Sequence, residues 1–159
     1  MMLRNLKVRG FKSLKDVSID LPRMAVLFGP NAAGKSNLLD AIQALSRIGT
    51  QRTLADALGE PIRGYPIEAF SFPSEGLAGL LSRRSARFSV EADLSREKEA
   101  YRYRVEVEVT PGSGALAVSD EYLTALGKDG QPKGVAAIEE ADGKLRVRRK
   151  GKAARPQNE

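Results

Sequence analysis

Met24-Ala25-Val26-Leu27-Phe28-Gly29-Pro30-Asn31-Ala32-Ala33-Gly34-Lys35-Ser36 is the stretch on which the fold turns. Its first five residues are a continuous apolar run, which predicts a strand buried on both faces, because a half-buried strand alternates. From Lys35 to Ile48 the period becomes helical: Leu38, Leu39, Ile42 and Leu45 share one face, and Gly49 is a plausible stop. Between the two, Gly29 to Ser36 matches G-x-x-x-x-G-K-[ST], the pattern of a phosphate-binding loop, in the strand–loop–helix context that the pattern requires.

Each position has a physical use. Gly29 and Gly34 permit backbone conformations and a close approach that a side chain would block. The amides of Pro30-Asn31-Ala32-Ala33 and their neighbours, apart from the proline, can then turn inward as an anion nest. The helix N-terminus adds unpaired N–H groups and partial positive charge. Lys35 is a cation for β- and γ-phosphates, and Ser36 offers a hydroxyl to Mg²⁺, which takes phosphate oxygens, water and few protein ligands. The plainer reading is a glycine-rich turn that only caps a helix.

Outward from this unit the period is two. Leu6 and Val8 alternate with Lys7 and Arg9, and Val17, Ile19 and Leu21 with Ser18 and Asp20, so two short half-buried strands precede the loop, joined near Gly10–Lys15. Residues 50–85 lack a clean period and read as loops with short helical turns. Phe88, Val90, Ala92 and Leu94 form one stripe, and Tyr101, Tyr103, Val105, Val107 and Val109 the next, with a hairpin break at Ser95–Glu99. Shorter strands are expected near Leu116–Val118, Tyr122–Leu126 and Leu145–Val147. The expected organisation is one α/β unit with α+β character. Residues 1–49 supply strands, loop and helix, 50–85 a connection, 86–149 an antiparallel sheet, and 150–159 a basic tail.

The string from Leu3 to Leu21, followed by Gly29 to Leu45, resembles the N-terminal half of the ABC-type ATPase heads of the SMC, RecF and OLD-like families. The residues that carry the resemblance are Phe11-Lys12-Ser13, the apolar run, and Gly29 to Ile42, above all Asn37, Leu38, Leu39, Asp40 and Ala41. Ala32 departs from it, since many relatives have Gly there, and Ala is less free in φ. The resemblance implies ATP and Mg²⁺ as ligands, with Asn37 beside the loop and the turn holding Lys12 and Ser13 near the nucleotide. It further implies that two complete heads sandwich ATP as a nucleotide-dependent homodimer, and that the setting is DNA repair, recombination, chromosome organisation or phage defence.

Several parts of such a head have no counterpart in this sequence. The nearest string to an acidic motif is Val135-Ala136-Ala137-Ile138-Glu139-Glu140, which has Glu for Asp and reads more simply as a solvated acidic turn. No Ser-Gly-Gly signature loop follows, and no Gln-loop residue can be assigned. The expectation is therefore an N-terminal lobe that lacks its C-terminal lobe and second head and does not hydrolyse ATP alone. Two other classes stay open: a complete P-loop phosphotransferase, and an interaction module with a vestigial loop.

The composition narrows the chemistry. The chain has 159 residues, 26 Lys plus Arg, 20 Asp plus Glu, a net charge of +6, and no Cys, His or Trp. That excludes disulfides, thiol nucleophiles, imidazole triads and imidazole metal sites. No apolar run is long enough for a membrane span or a signal, and the expected compartment is the cytoplasm. The run Lys144, Arg146, Arg148, Arg149, Lys150, Lys152 and Arg155 could neutralise DNA phosphates, with Arg148, Arg149 and Lys150 as candidate contacts, although a wet strand face with a solvated tail is the simpler and preferred reading.

Overall fold

The computed structural model describes residues 1–141 and 144–148. β1 (Met2–Phe11) and β2 (Leu14–Asp20) form a hairpin. A long excursion follows, with α1 (Lys35–Ile48), α2 (Leu54–Leu58), a 3₁₀ turn at Pro66–Ala69 and α3 (Gly76–Leu81). The chain then runs as a meander through β3 (Ala86–Arg96), β4 (Glu99–Thr110), β5 (Ala115–Leu126), β6 (Pro132–Ala141) and β7 (Lys144–Val147). Among the described residues, the seven strands make one antiparallel sheet in the order β2-β1-β3-β4-β5-β6-β7. The mixed α/β class with a large antiparallel sheet is as expected.

The register explains why one face is dry and the other wet. Leu6 lies opposite Ala92, Val8 opposite Val90, Val90 opposite Val105 and Phe88 opposite Val107. All of these are buried, and they pack with Leu38, Ala41 and Ala44 of α1, Leu58 of α2, Ile62, Phe70 and Leu80. Phe88 is edge-on to Phe11 at 5.2 Å and to Phe70 at 5.0 Å between ring centroids. The alternate residues pair across strands on the other face, Lys7 with Glu91 at 3.0 Å, Arg102 with Asp93 at 2.7 Å and Arg104 with Asp120 at 2.7 Å. Period-two alternation therefore sorts side chains as the sequence predicts.

Three local details differ. The two short strands expected near Leu116 and Tyr122 are one strand, β5, in which Ser119 is an extra residue. Glu106 pairs with Asp120 and Val107 with Val118, so the ladder shifts there without ending. Val135–Glu140 is not an acidic turn but part of β6, and its end joins β7 by direct pairing of Ile138 with Val147 and Glu139 with Arg146. Cross-strand pairing there outweighs the weak strand preference of the two alanines.

The third difference is larger. Met24–Phe28 is not a buried strand. It has no regular structure, and Met24, Val26 and Phe28 are 84%, 75% and 91% exposed. A strand buried on both faces needs neighbours on both edges and cover on both faces. Beyond the bond from Leu21 N–H to the Arg4 carbonyl at 2.7 Å, the chain leaves the sheet. Among the described residues, no strand pairs with 24–28, and α1 is packed on the sheet instead.

Candidate phosphate-binding site

The loop from Gly29 to Gly34 leads directly into α1. Gly29 has φ 148° and Gly34 has φ 89°, so both glycines of the pattern sit where L side chains are strained. Gly34 is the N-cap of α1 and offers no side-chain cap, which leaves the first-turn amides open to an anion. A Cβ on Gly34 would come within 3.2 Å of the Ser13 hydroxyl and 3.4 Å of Leu14 Cδ2. The loop is thus seated against the β1–β2 turn. Ala32 has φ 64° and takes up the left-handed conformation although it is not glycine.

Lys35 curls back over this loop. Its Nζ donates to the carbonyls of Gly29 at 2.7 Å and Pro30 at 2.6 Å. Asn37 Nδ2 donates to Ser13 Oγ at 2.8 Å. Asn31 to Asn37, Ser13 and Arg63 line a cavity of about 410 Å³. A second cavity of about 610 Å³ adjoins it, shares Ser13, Asn37 and Arg63, and is walled by Lys12, Lys15, Phe70 and Phe72. Volumes of this order suit small-molecule ligands. The surroundings are cationic, with Lys15, Lys35 and Arg63 all at the walls.

Of the residues predicted from sequence, Gly29 to Asn37 and Ser13 are brought together. Lys12 is turned away from the loop: its ammonium contacts Asp40 Oδ2 at 2.6 Å and the Arg63 carbonyl at 2.7 Å. Lys12 itself is held at φ 49° because its N–H donates to the Ala69 carbonyl at 2.9 Å and its carbonyl accepts from the Ser71 hydroxyl. Arg148 is distant in the sheet, paired with Glu139 at 2.7 Å and donating to the Ala136 carbonyl at 3.1 Å. Arg149 and Lys150 lie outside the described residues. Glu139 is on β6, separated from β1 by three strands.

Sequence reasoning missed Arg63. It sits in the aperiodic string Pro61-Ile62-Arg63-Gly64-Tyr65-Pro66, where no spacing distinguishes it from a solvated loop cation. Its Nη2 donates to Asp40 Oδ2 at 2.9 Å and to Asn37 Oδ1 at 3.2 Å. Burial alone would push the Asp40 carboxyl up. Hydrogen bonds from Arg63 and Lys12, with their charges, more than offset this and hold its pKa below the ordinary 3.8.

For a metal, the donor set is sparse: among the described residues no three acidic side chains are placed to hold an ion together. Asp40 is engaged by two cations. The exposed Ser36 hydroxyl at the start of α1 fits a Mg²⁺ that takes its other ligands from phosphate and water.

A family described as "AAA domain, putative AbiEii toxin, Type IV TA system" matches residues 24–158. The chain belongs to this family. It is also similar to the DNA replication and repair protein RecF of Lactobacillus gasseri, 32% identical over 108 residues, which are 67% of this chain and 27% of that protein. For RecF of Streptococcus pneumoniae (strain CGSP14) the figures are 29% over 98 residues, 61% and 25%. The chain therefore spans about a quarter of the length of these curated relatives. A solved structure from a study of ATP-driven dimerization and DNA-stimulated activation of SMC ATPases matches at TM-score 0.44 and 19% identity, over 77% of this chain and 69% of that one. The similarity to RecF expected from the N-terminal string is thus found, and the chain falls within the AAA-domain family. No helix among the described residues is long and apolar enough to cross a membrane.

Proposed function

We propose that this chain binds Mg-ATP through Gly29–Ser36 and is the N-terminal lobe of an SMC/RecF-like ATPase head. The observation that carries the reading is the left-handed loop opening α1, with Lys35 and Arg63 at a cavity lined by Asn31–Asn37. Loop amides and the α1 N-terminus would hold the phosphates. Lys35 would exchange its two loop carbonyls for β- and γ-oxygens. Ser36 would hold Mg²⁺, which neutralises charge on the phosphate chain.

The lobe is incomplete for hydrolysis in this reading. Lys35, Ser36 and the amides bind the ground state, whereas acceleration needs contacts stronger in the transition state. Glu139 is paired on β6 and is not at the site. The exposed Met24–Phe28 run supports a requirement for a C-terminal lobe. A second head would then close the nucleotide site in a homodimer. The similarity to a DNA replication and repair protein supports service in DNA repair, with recombination or defence as the other settings of this reading. Contact of the basic run with DNA would require Arg148 to leave Glu139.

Calorimetry tests the core of this proposal. The chain should bind Mg-ATP, and Lys35→Ala should weaken binding about tenfold, the low end for a charged hydrogen bond of about 1.5–3 kcal/mol, because Lys35 gives up two carbonyls to bind. Equal affinity in two folded proteins would refute the phosphate assignment. Turnover should stay near background without a second lobe. A rate of about 1 s⁻¹ or more, lost in Lys35→Ala, would refute the incompleteness.

A further inference from the structure

Asp40 has no part in phosphate binding as described so far, yet it is buried, with its side chain 8% exposed. Lys12 Nζ and Arg63 Nη2 both donate to its Oδ2, at 2.6 and 2.9 Å, and Lys12 Nζ also holds the Arg63 carbonyl at 2.7 Å. The three residues close a triangle between the β1–β2 turn, α1 and the loop after α2. The two cations differ in access: the Lys12 side chain is 11% exposed and that of Arg63 is 59% exposed. Only the second reaches the phosphate cavity. A buried carboxylate with its cations is a poor device for stability alone, because apolar replacements of buried ion pairs are often neutral or stabilising. What the triangle does supply is a fixed position for one guanidinium.

We propose that Asp40 and Lys12 are positioning residues that hold the Arg63 guanidinium at the mouth of the phosphate cavity, and that Lys12 does not touch the nucleotide. This rests on the nucleotide reading above. Arg63 uses Nη2 for Asp40 and Asn37, which leaves the donors on Nε and Nη1 for phosphate oxygens. Holding a long side chain in place before the ligand arrives removes an ordering penalty that corresponds to a few-fold up to about tenfold in affinity.

The experiment is a double-mutant cycle read by calorimetry with Mg-ATP on the 159-residue chain. Asp40→Asn should lower affinity about five- to tenfold when Arg63 is present and less than twofold in an Arg63→Ala background. Lys12→Gln should behave in the same way, and it carries the test if Asp40→Asn does not fold. A merely structural role would lower affinity equally in both backgrounds, and that result overturns the proposal. So does unchanged affinity in a folded Asp40→Asn or Lys12→Gln protein. A Lys12→Gln loss that persists without Arg63 would make Lys12 a nucleotide contact and overturn its assignment. If the unaltered chain binds no Mg-ATP, the nucleotide reading and this inference fall together. If it binds with additive losses, only this inference falls.

Discussion

Phe28→Ala deletes a ring that is 91% exposed, in a segment with no regular structure. A fully buried Phe truncated to Ala costs about 3–5 kcal/mol through lost transfer energy and the cavity left behind. An exposed one removes almost no protein contacts, and such surface changes fall within about 0.5 kcal/mol. The internal control is Phe88→Ala. Phe88 is 1% exposed and touches Phe11 and Phe70 edge-on, so it should lose the full core amount. Against a stability of about 5–15 kcal/mol for a domain, that is a large share. Urea unfolding of the two variants should therefore separate widely. With a slope of about 1–3 kcal/mol per molar, the Phe88→Ala midpoint should fall by on the order of 2 M, while Phe28→Ala stays near the parent. A loss above about 2 kcal/mol for Phe28→Ala would show that the run is packed within this chain, and the argument for a missing second lobe would lose its main support.

Asp40 gives a pH test. Its folded pKa lies below the unfolded value, so its contribution is fully present above about pH 4 and is lost as pH falls through the depressed value. Arg63→Ala removes one of its cations, so the acid limb of stability should move to higher pH, and urea midpoints between pH 2 and 6 would show it; an unmoved limb would refute the pairing. Gly34→Ala must place a side chain at φ 89° and 3.2 Å from the Ser13 hydroxyl, a strain of about 1–2 kcal/mol. Calorimetry should show Mg-ATP affinity reduced roughly tenfold, and parent-like affinity would show that the loop does not use this conformation to bind. Burial and the hydrogen bond to Glu121 at 2.8 Å both oppose ionisation of Tyr103. In an alkaline absorbance titration its phenol should ionise last, and Tyr103→Phe should remove that final step.

The sheet was legible because β3 and β4 alternate strictly, and alternation alone assigns each side chain to the dry or the wet face. The same holds for β1 and β2. The helix α1 was legible too, but its buried face was not read correctly: Leu39, expected on it, is 55% exposed, and Ala41 and Ala44 are buried there beside Leu38. Ser119 was not legible, since an inserted residue looks like the end of one strand and the start of another. Met24–Phe28 misled for a different reason. An apolar run reports what a segment is suited to, and burial on two faces depends on neighbouring strands, none of which lies beside it among the described residues. In the candidate site, the spacing of Gly29, Gly34, Lys35 and Ser36 singles them out in the sequence, and the structure places them together at the start of α1. Arg63 and the role of Asp40 depend on a contact across 23 positions in sequence, which no local pattern encodes.

The strand order carries a consequence for how the chain assembles. β3, β4, β5 and β6 are joined by short turns, so each pairing closes only a small loop. β1, however, meets β3 only after the whole excursion of residues 21–85 has been spanned. Contacts of long sequence separation reward the chain only after the entropy of closing that loop has been overcome. The meander is therefore expected to form early and the β1–β3 closure late. Stopped-flow refolding would check this: Val107→Ala should mainly slow folding and Val8→Ala mainly speed unfolding, and the reverse partition would refute it. On the ribosome the order of emergence is the opposite. The Gly29–Gly34 loop leaves the tunnel ahead of β3 and β4, and it has no finished sheet to rest on until they follow.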